Sequence, residues 1–284
     1  MKKILTAILS VAMACGIGIA AVGCAGGYSI EVGGGGSGVG ISGAKDGSLD
    51  LGMASKEVDG AKEGLSVYTL CKDGIAVIVH NDNAVDDLTM EELKAIYTGE
   101  TSNWSEVGGA DASITVVARE PGSGTRDAFQ ELVGFKDADL DADAELSSTS
   151  VVLSTVAGNK NAIGYISLGS LDDTVSAVKI GGVAPTTENV LDGSYAISRP
   201  FNVMYLEATE KENDLLADFL KFLQSKEAQE MIEKEGYISI YADAKAYAKP
   251  ETLPETTKLN VGGSTSVQPL MANLAIAYED LLSA

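Results

Sequence analysis

Three stretches of this sequence repeat one design: an apolar strand pattern runs into glycines mixed with serine or threonine, and a turn or helix pattern follows. Residues 28–32 run into Gly33-Gly34-Gly35-Gly36-Ser37-Gly38-Val39-Gly40, with a second short strand expected over 49–54. Residues 114–118 run into Arg119-Glu120-Pro121-Gly122-Ser123-Gly124-Thr125-Arg126, and a helical pattern covers 127–133. Residues 259–261 run into Gly262-Gly263-Ser264-Thr265-Ser266, and 269–282 form an amphipathic helical pattern. Between these, the continuous apolar run 74–80 reads as a strand buried on both faces, and 89–97 as a capped helix. Strands are expected at 162–166, 177–180 and 201–206, and one or two helices over 213–235. Such alternation predicts α/β lobes with mostly parallel sheets and a ligand at the carboxyl ends of the strands. A chain of 284 residues is long enough for two lobes, each with its own core.

The repeated design supplies the parts of an anion cradle. A helix start leaves its first N–H groups unpaired, glycine lets backbone approach a ligand, and hydroxyls donate further hydrogen bonds. The candidate groups are Ser37, then Ser123, Gly124 and Thr125, and finally Thr265 and Ser266. Arg119 adds a charged, planar donor suited to two oxygens of a tetrahedral anion. Each feature has an ordinary alternative: a surface ion pair with Glu120 for Arg119, a flexible loop at Ser37, a plain helix cap over 262–266. Three together favour the cradle.

Gly33, Gly35 and Gly38 also fit a dinucleotide-binding pattern. It is set aside because Gly43 and Gly47 stand where its crossover helix would begin, and the next strand comes early. Hydrolytic chemistry has little to use: His80 is the one histidine, and Cys71 has no histidine close in sequence. The acidic run 137–145 reads as a solvated loop, and no cofactor or metal is expected.

At the N-terminus, Lys2 and Lys3 precede an apolar run over 4–22 that closes on Gly23-Cys24. This is the pattern of a secretory signal over 1–23, with Cys24 as the acylated residue of a lipoprotein; an uncleaved anchor helix is the alternative. Either places the folded body outside the cytoplasm. Cys15 lies within the signal, so the mature body keeps Cys71 alone and no disulfide framework. The net charge of −21 makes nucleic acid an unexpected partner, while anion sites made from backbone N–H groups act locally and remain compatible with it.

These residues resemble the phosphate-binding lipoproteins of phosphate (Pst) ABC importers, Gram-positive type. The resemblance rests on Gly263-Ser264-Thr265-Ser266-Val267, Gly36-Ser37-Gly38, Gly52-Met53-Ala54-Ser55, Asn103-Trp104, the segment 119–126, Ala162-Ile163-Gly164-Tyr165 and Ser198-Arg199-Pro200-Phe201. It implies a type II periplasmic-binding-protein-like α/β fold, two lobes with a hinge and an interlobe ligand cleft. Lobe 1 would comprise 25–76, 200–241 and 259–284, lobe 2 would be 77–199, and 242–258 a linker. Hinge segments would fall at 74–80 and 198–201. It further implies phosphate contacts from Thr265, Ser266, Ser37 and Ser55 on one lobe and from Arg119, Ser123, Gly124 and Thr125 on the other. The implied protein is a non-enzymatic monomer, held to the cell membrane through an acyl chain on Cys24, that delivers phosphate to a permease.

The sequence departs from that family in two places. Lys56 stands where well-studied members carry a proton-accepting aspartate, which opens a sulfate-receptor reading; a secreted phosphatase-like enzyme is the other alternative. The Gly-Ser-Thr-Ser-Val element also comes last instead of first. A circular permutation, a truncated second copy and a misassembled gene would each produce that order, and under the latter two the first lobe would borrow a strand, for instance from a swapped partner.

Overall fold

The computed structural model describes residues 27–283, so the signal segment and Cys24 lie outside the described residues. The described residues begin with β1 (Ser29–Gly33), α1 (Ser37–Asp46), β2 (Leu51–Ala54) and α2 (Gly60–Glu63), then enter the long β3 (Ser66–His80). Next come β4 (Asp87–Leu88), α3 (Met90–Tyr97), β5 (Thr115–Arg119), α4 (Gly124–Val133), β6 (Ala144–Leu146), α5 (Thr149–Ala157) and β7 (Ala162–Ser167). After them follow β8 (Val175–Ala177), β9 (Lys179–Ile180), α6 (Thr187–Leu191) and β10 (Ser198–Tyr205). The chain closes with α7 (Glu207–Glu212), α8 (Asp214–Leu223), α9 (Lys226–Lys234), β11 (Lys258–Gly263) and α10 (Gln268–Ser283).

One sheet runs through both lobes in the order β1-β11-β2-β10-β3-β7-β5-β6, with β8 also on β3. The C-terminal β11 pairs in parallel with β1 on one side and β2 on the other, within its own chain. The first lobe therefore needs no strand from a partner. The expected parallel character holds at the two ends of the sheet, whereas β10 and β3 pair antiparallel with each other and with their neighbours. A long strand crossing between lobes forces this mixture: β3 pairs with β10 up to Gly74 and with β7 from Ile75 onward.

The apolar run that marks β3 is buried on both sides, as its lack of alternation predicts. Ile75, Val77 and Val79 enter one core with Ile96, Val116 and Phe129; Ala76 and Ile78 enter another with Val152, Val156 and Ile166. In the first lobe, α8 and α10 cover the sheet, packing Phe219, Leu274 and Tyr278 against Ile30, Val32, Leu51 and Met53. Thr89 caps α3 by accepting from the Glu92 N–H, while Glu92 reaches back to the Thr89 N–H, the reciprocal arrangement expected of that sequence.

Two expectations change. Residues 33–40, read as a glycine loop, lead into helix: α1 begins at Ser37 and runs to Asp46. Glycine is a poor helix former, but here it allows close packing: a Cβ on Gly40 would lie 2.4 Å from the Met53 carbonyl oxygen. The crossover helix that seemed to have no room is thus present, and what sets this turn apart from a nucleotide loop is its contact with the second lobe, where Gly38 donates to the Gly122 carbonyl at 3.0 Å. The 242–258 linker has no regular element, yet it is tied down. Tyr247 hydroxyl bonds the Asp218 carboxylate, and the Glu255 and Thr256 N–H groups donate to Asp214 at 2.6 and 3.0 Å.

Candidate functional site

The carboxyl ends of β1, β2 and β11 in the first lobe face the ends of β5 and the starts of α4 and α5 in the second. Ser37 is the first residue of α1, and its Oγ accepts the Ser55 N–H at 3.0 Å. Ser264 Oγ donates to Ser55 Oγ at 2.9 Å and accepts the Ser266 N–H at 3.2 Å. The tail segment is thereby folded onto the other two first-lobe elements, and the hydroxyls of Thr265 and Ser266 reach across the cleft.

From the second lobe, Ser123 caps α4, accepting from the Arg126 N–H, so the N-terminal turn of this ten-residue helix opens toward the first lobe. Thr125 Oγ1 meets Ser266 Oγ at 3.0 Å. Thr149, first residue of α5, meets the same Ser266 Oγ at 3.0 Å. Gly124 is required by closeness: a Cβ there would lie 2.1 Å from Ser37 Oγ and 3.0 Å from Ser55 Oγ. Ser37, Ser55, Arg119, Ser123, Thr125, Thr149, Ser264 and Ser266 are all buried.

Arg119 ends β5 with its guanidinium in the cleft. Its Nη1 donates to Thr149 Oγ1 at 3.3 Å and its Nη2 to Thr265 Oγ1 at 3.1 Å. The ion pair with Glu120 that the sequence left as an alternative also exists, with Nε and Nη2 each 2.9 Å from a carboxylate oxygen. It is not a surface pair, since Arg119 is 2% exposed. Glu120 instead holds the guanidinium plane so that its remaining donors face the hydroxyls. The acidic run is likewise partly engaged, with Asp137 and Glu145 both paired to Arg126.

All eight sequence-derived positions thus come together, and two more join them. Ser264 belongs to a segment already singled out. Thr149 opens α5 from the run Ser147-Ser148-Thr149-Ser150, a fourth hydroxyl-rich helix start that carries no glycine and so escaped the pattern. Lys56 projects to the rim, where Nζ lies 2.6 Å from Asp127 Oδ2 of α4. His80 and Cys71 stand apart: His80 Nδ1 accepts the Asp82 N–H at the far end of β3, and Cys71 is buried in the first lobe's core, which pushes its thiol pKa up. No cluster of metal-ligating side chains occurs among the described residues.

A hinge-connected pair of α/β lobes with a buried, hydroxyl-lined cleft defines a solute-binding architecture, and the sequence model of the PBP superfamily domain matches residues 10–227. A phosphate-binding protein PstS of Bacillus subtilis is 34% identical over 220 residues, covering 74% of this chain and 71% of its own length. Phosphate-binding protein PstS 2 of Streptococcus pneumoniae serotype 4 is 43% identical over 178 residues, and this match spans 60% of this chain and 59% of that protein's length. Among solved structures, a phosphate ABC transporter substrate-binding protein with bound phosphate from Clostridium perfringens is similar at 47% identity and TM-score 0.69, covering 72% of this chain and 85% of that one. An ABC-type phosphate transport receptor from Vibrio cholerae follows at 36% identity and TM-score 0.60, with the same coverage. The chain belongs to the PBP superfamily and, within it, to the family of PstS phosphate-binding proteins.

Proposed function

We propose that this chain captures inorganic phosphate between its lobes outside the cytoplasm and delivers it to the permease of an ABC importer. The observation that carries this reading is the meeting of Ser266 with Thr125 and Thr149 beside the Arg119 guanidinium. Eight hydroxyls, two guanidinium nitrogens and the N–H groups of two helix starts can donate there to the oxygens of a tetrahedral anion. Hydroxyl-to-hydroxyl bonds across the cleft would be exchanged for bonds to phosphate as the lobes separate and reclose on it. The bound phosphate in the Clostridium relative supports the same ligand.

On this reading Ser37, Ser55, Thr265 and Ser266 hold the anion from the first lobe, joined by Ser264. Arg119, Ser123, Gly124 and Thr125 hold it from the second, joined by Thr149. The first lobe comprises 25–76, 200–241 and 259–284, with 77–199 as the second; the pairing of β11 between β1 and β2 supports the tail's place in it. Cys24 carries the lipid anchor at the cell membrane, and the protein works as a monomer without enzymatic turnover.

Calorimetric titration with phosphate, and with phosphate in the presence of sulfate, tests the assignment. We expect saturable binding of one phosphate per chain that excess sulfate displaces poorly. Equal competition by sulfate would move the ligand to oxyanions in general, and turnover of a phosphate ester that is lost in Arg119→Ala would move the protein to the phosphatase reading.

A further inference from the structure

We propose that the buried Asp73–Arg199 pair, placed where the chain crosses between lobes, is a positioning device for the anion site: Arg199 fixes Ser55, and Asp73 sets how much of the Arg199 charge the site feels. This rests on the oxyanion reading of the cleft. Asp73 and Arg199 face each other in register on β3 and β10, one residue before β3 exchanges β10 for β7 as its partner. Arg199 Nη2 and Nε donate to Asp73 Oδ2 at 3.1 and 3.3 Å. Ser167, the last residue of β7 in the second lobe, donates to Asp73 Oδ1 at 2.9 Å.

The third guanidinium nitrogen leads to the site. Arg199 Nη1 donates to the Ser55 carbonyl at 3.2 Å, and three residues along β10 Asn202 Nδ2 donates to the Lys56 carbonyl at 2.9 Å. Two consecutive carbonyls after β2 are thereby held by β10, which fixes the turn that presents the Ser55 hydroxyl to Ser37 and Ser264. A shift of the crossing strands moves Ser55, and a shift of Ser55 is felt at the crossing.

Stability does not account for this pair. Both side chains are 1% exposed, and removing two charges from water this completely offsets what their attraction returns, so an apolar pair of similar size serves a core equally well. Burial is the largest influence on each group: it pushes the Asp73 carboxyl up to about 6 against the pull of Arg199, and it lowers the pKa of Arg199, which Arg119 lowers further. The Arg199 charge lies beside the site because the carbonyl it holds belongs to Ser55, whose hydroxyl bonds Ser264 there. The other titratable groups facing Asp73 are Cys71 on its own strand, Tyr195 ahead of β10 and Tyr237 after α9; burial raises all three, so they stay neutral through mildly alkaline pH.

The sign of the coupling follows. Above its raised pKa Asp73 is ionised and cancels the Arg199 charge; below it Asp73 is neutral and the site gains positive potential. Asp73→Asn makes the neutral condition permanent. Phosphate affinity of Asp73→Asn and wild type, taken as a ratio at each pH so that phosphate's own titration cancels, should show the variant at least about three-fold tighter at pH 8 and equal to wild type at pH 5. Asp73→Asn/Arg199→Gln, which removes both charges, should melt within a few degrees of wild type and bind phosphate at least about ten-fold more weakly. Arg199→Lys, with Asp73 in place, should restore affinity only in part, because its ammonium cannot serve Asp73 and the Ser55 carbonyl together. A ratio of one at both pH values, with wild-type affinity in the double variant, would reduce the pair to a structural one and overturn the proposal. Absence of phosphate binding by the wild-type protein would instead remove the reading on which it rests.

Discussion

Lys56 Nζ and Asp127 Oδ2 stand 2.6 Å apart across the cleft, an ion pair from the turn after β2 to the first turn of α4. Lys56 thus neither points freely to solvent nor enters the cradle; it links the lobes at the rim. Both side chains retain roughly a third of their exposure, so the pair is screened and worth about 0.2–1 kcal/mol. Asp127→Asn should weaken phosphate binding by about two- to five-fold at low salt, with the difference fading as ionic strength rises. Titrations of both proteins at two salt concentrations check this; a loss that ignores salt would remove Lys56 from the closure step.

Gly124 shows how tightly the lobes fit. With a Cβ at 2.1 Å from Ser37 Oγ, Gly124→Ala cannot reach the observed closed arrangement unless α4 or α1 moves. Each lobe keeps its own core, so thermal unfolding should change little. Phosphate affinity should fall by on the order of a hundred-fold, because binding would have to stabilise a less populated closed state. Small-angle scattering of the variant with saturating phosphate should report the open dimensions.

Thr149 serves Arg119 Nη1 and Ser266 Oγ at once. Thr149→Val preserves shape and removes the hydroxyl, leaving two buried polar groups each short of a partner, at a cost of about 1–3 kcal/mol. We expect roughly ten-fold weaker phosphate binding or more. Calorimetry decides it: wild-type affinity would take Thr149 out of the ligand shell.

The general plan of alternating strands and helices, and the glycine–hydroxyl segments at the strand ends, could be read from residue types because period and turn chemistry are local properties. What escaped was set by tertiary contact. Residues 37–46 hold Gly38, Gly40 and Gly43 and look like loop, but the close approach of Gly40 to Met53 outweighs weak helix propensity. The first half of β3, residues 66–73, includes Lys72 and Asp73, whose charges hide a strand; Asp73 is tolerated there by a partner 126 positions away. Thr149 lacked the glycine by which its three counterparts were recognised. The tie of the 242–258 segment rests on lone side chains such as Tyr247, which carry no periodic signal.

The tail belongs to the first lobe energetically as well as topologically. Leu274 of α10 is fully buried against the sheet, so Leu274→Ala should cost about 2–5 kcal/mol in denaturant unfolding. Hydrogen exchange should show lost protection in β1 and β2 together with β11. Protection confined to change within α10 would mean that the tail packs as a separate unit.

The account depends most on Ser266, which the C-terminal segment brings against Thr125 and Thr149 of the opposite lobe. Titration of wild type, Ser266→Ala, Thr125→Val and the double variant with phosphate measures whether these hydroxyls serve one ligand. We predict single-site binding in the wild type, a loss of about ten-fold or more in each single variant, and a double loss smaller than the two combined, as neighbours on one anion require. Wild-type affinity in Ser266→Ala would contradict it.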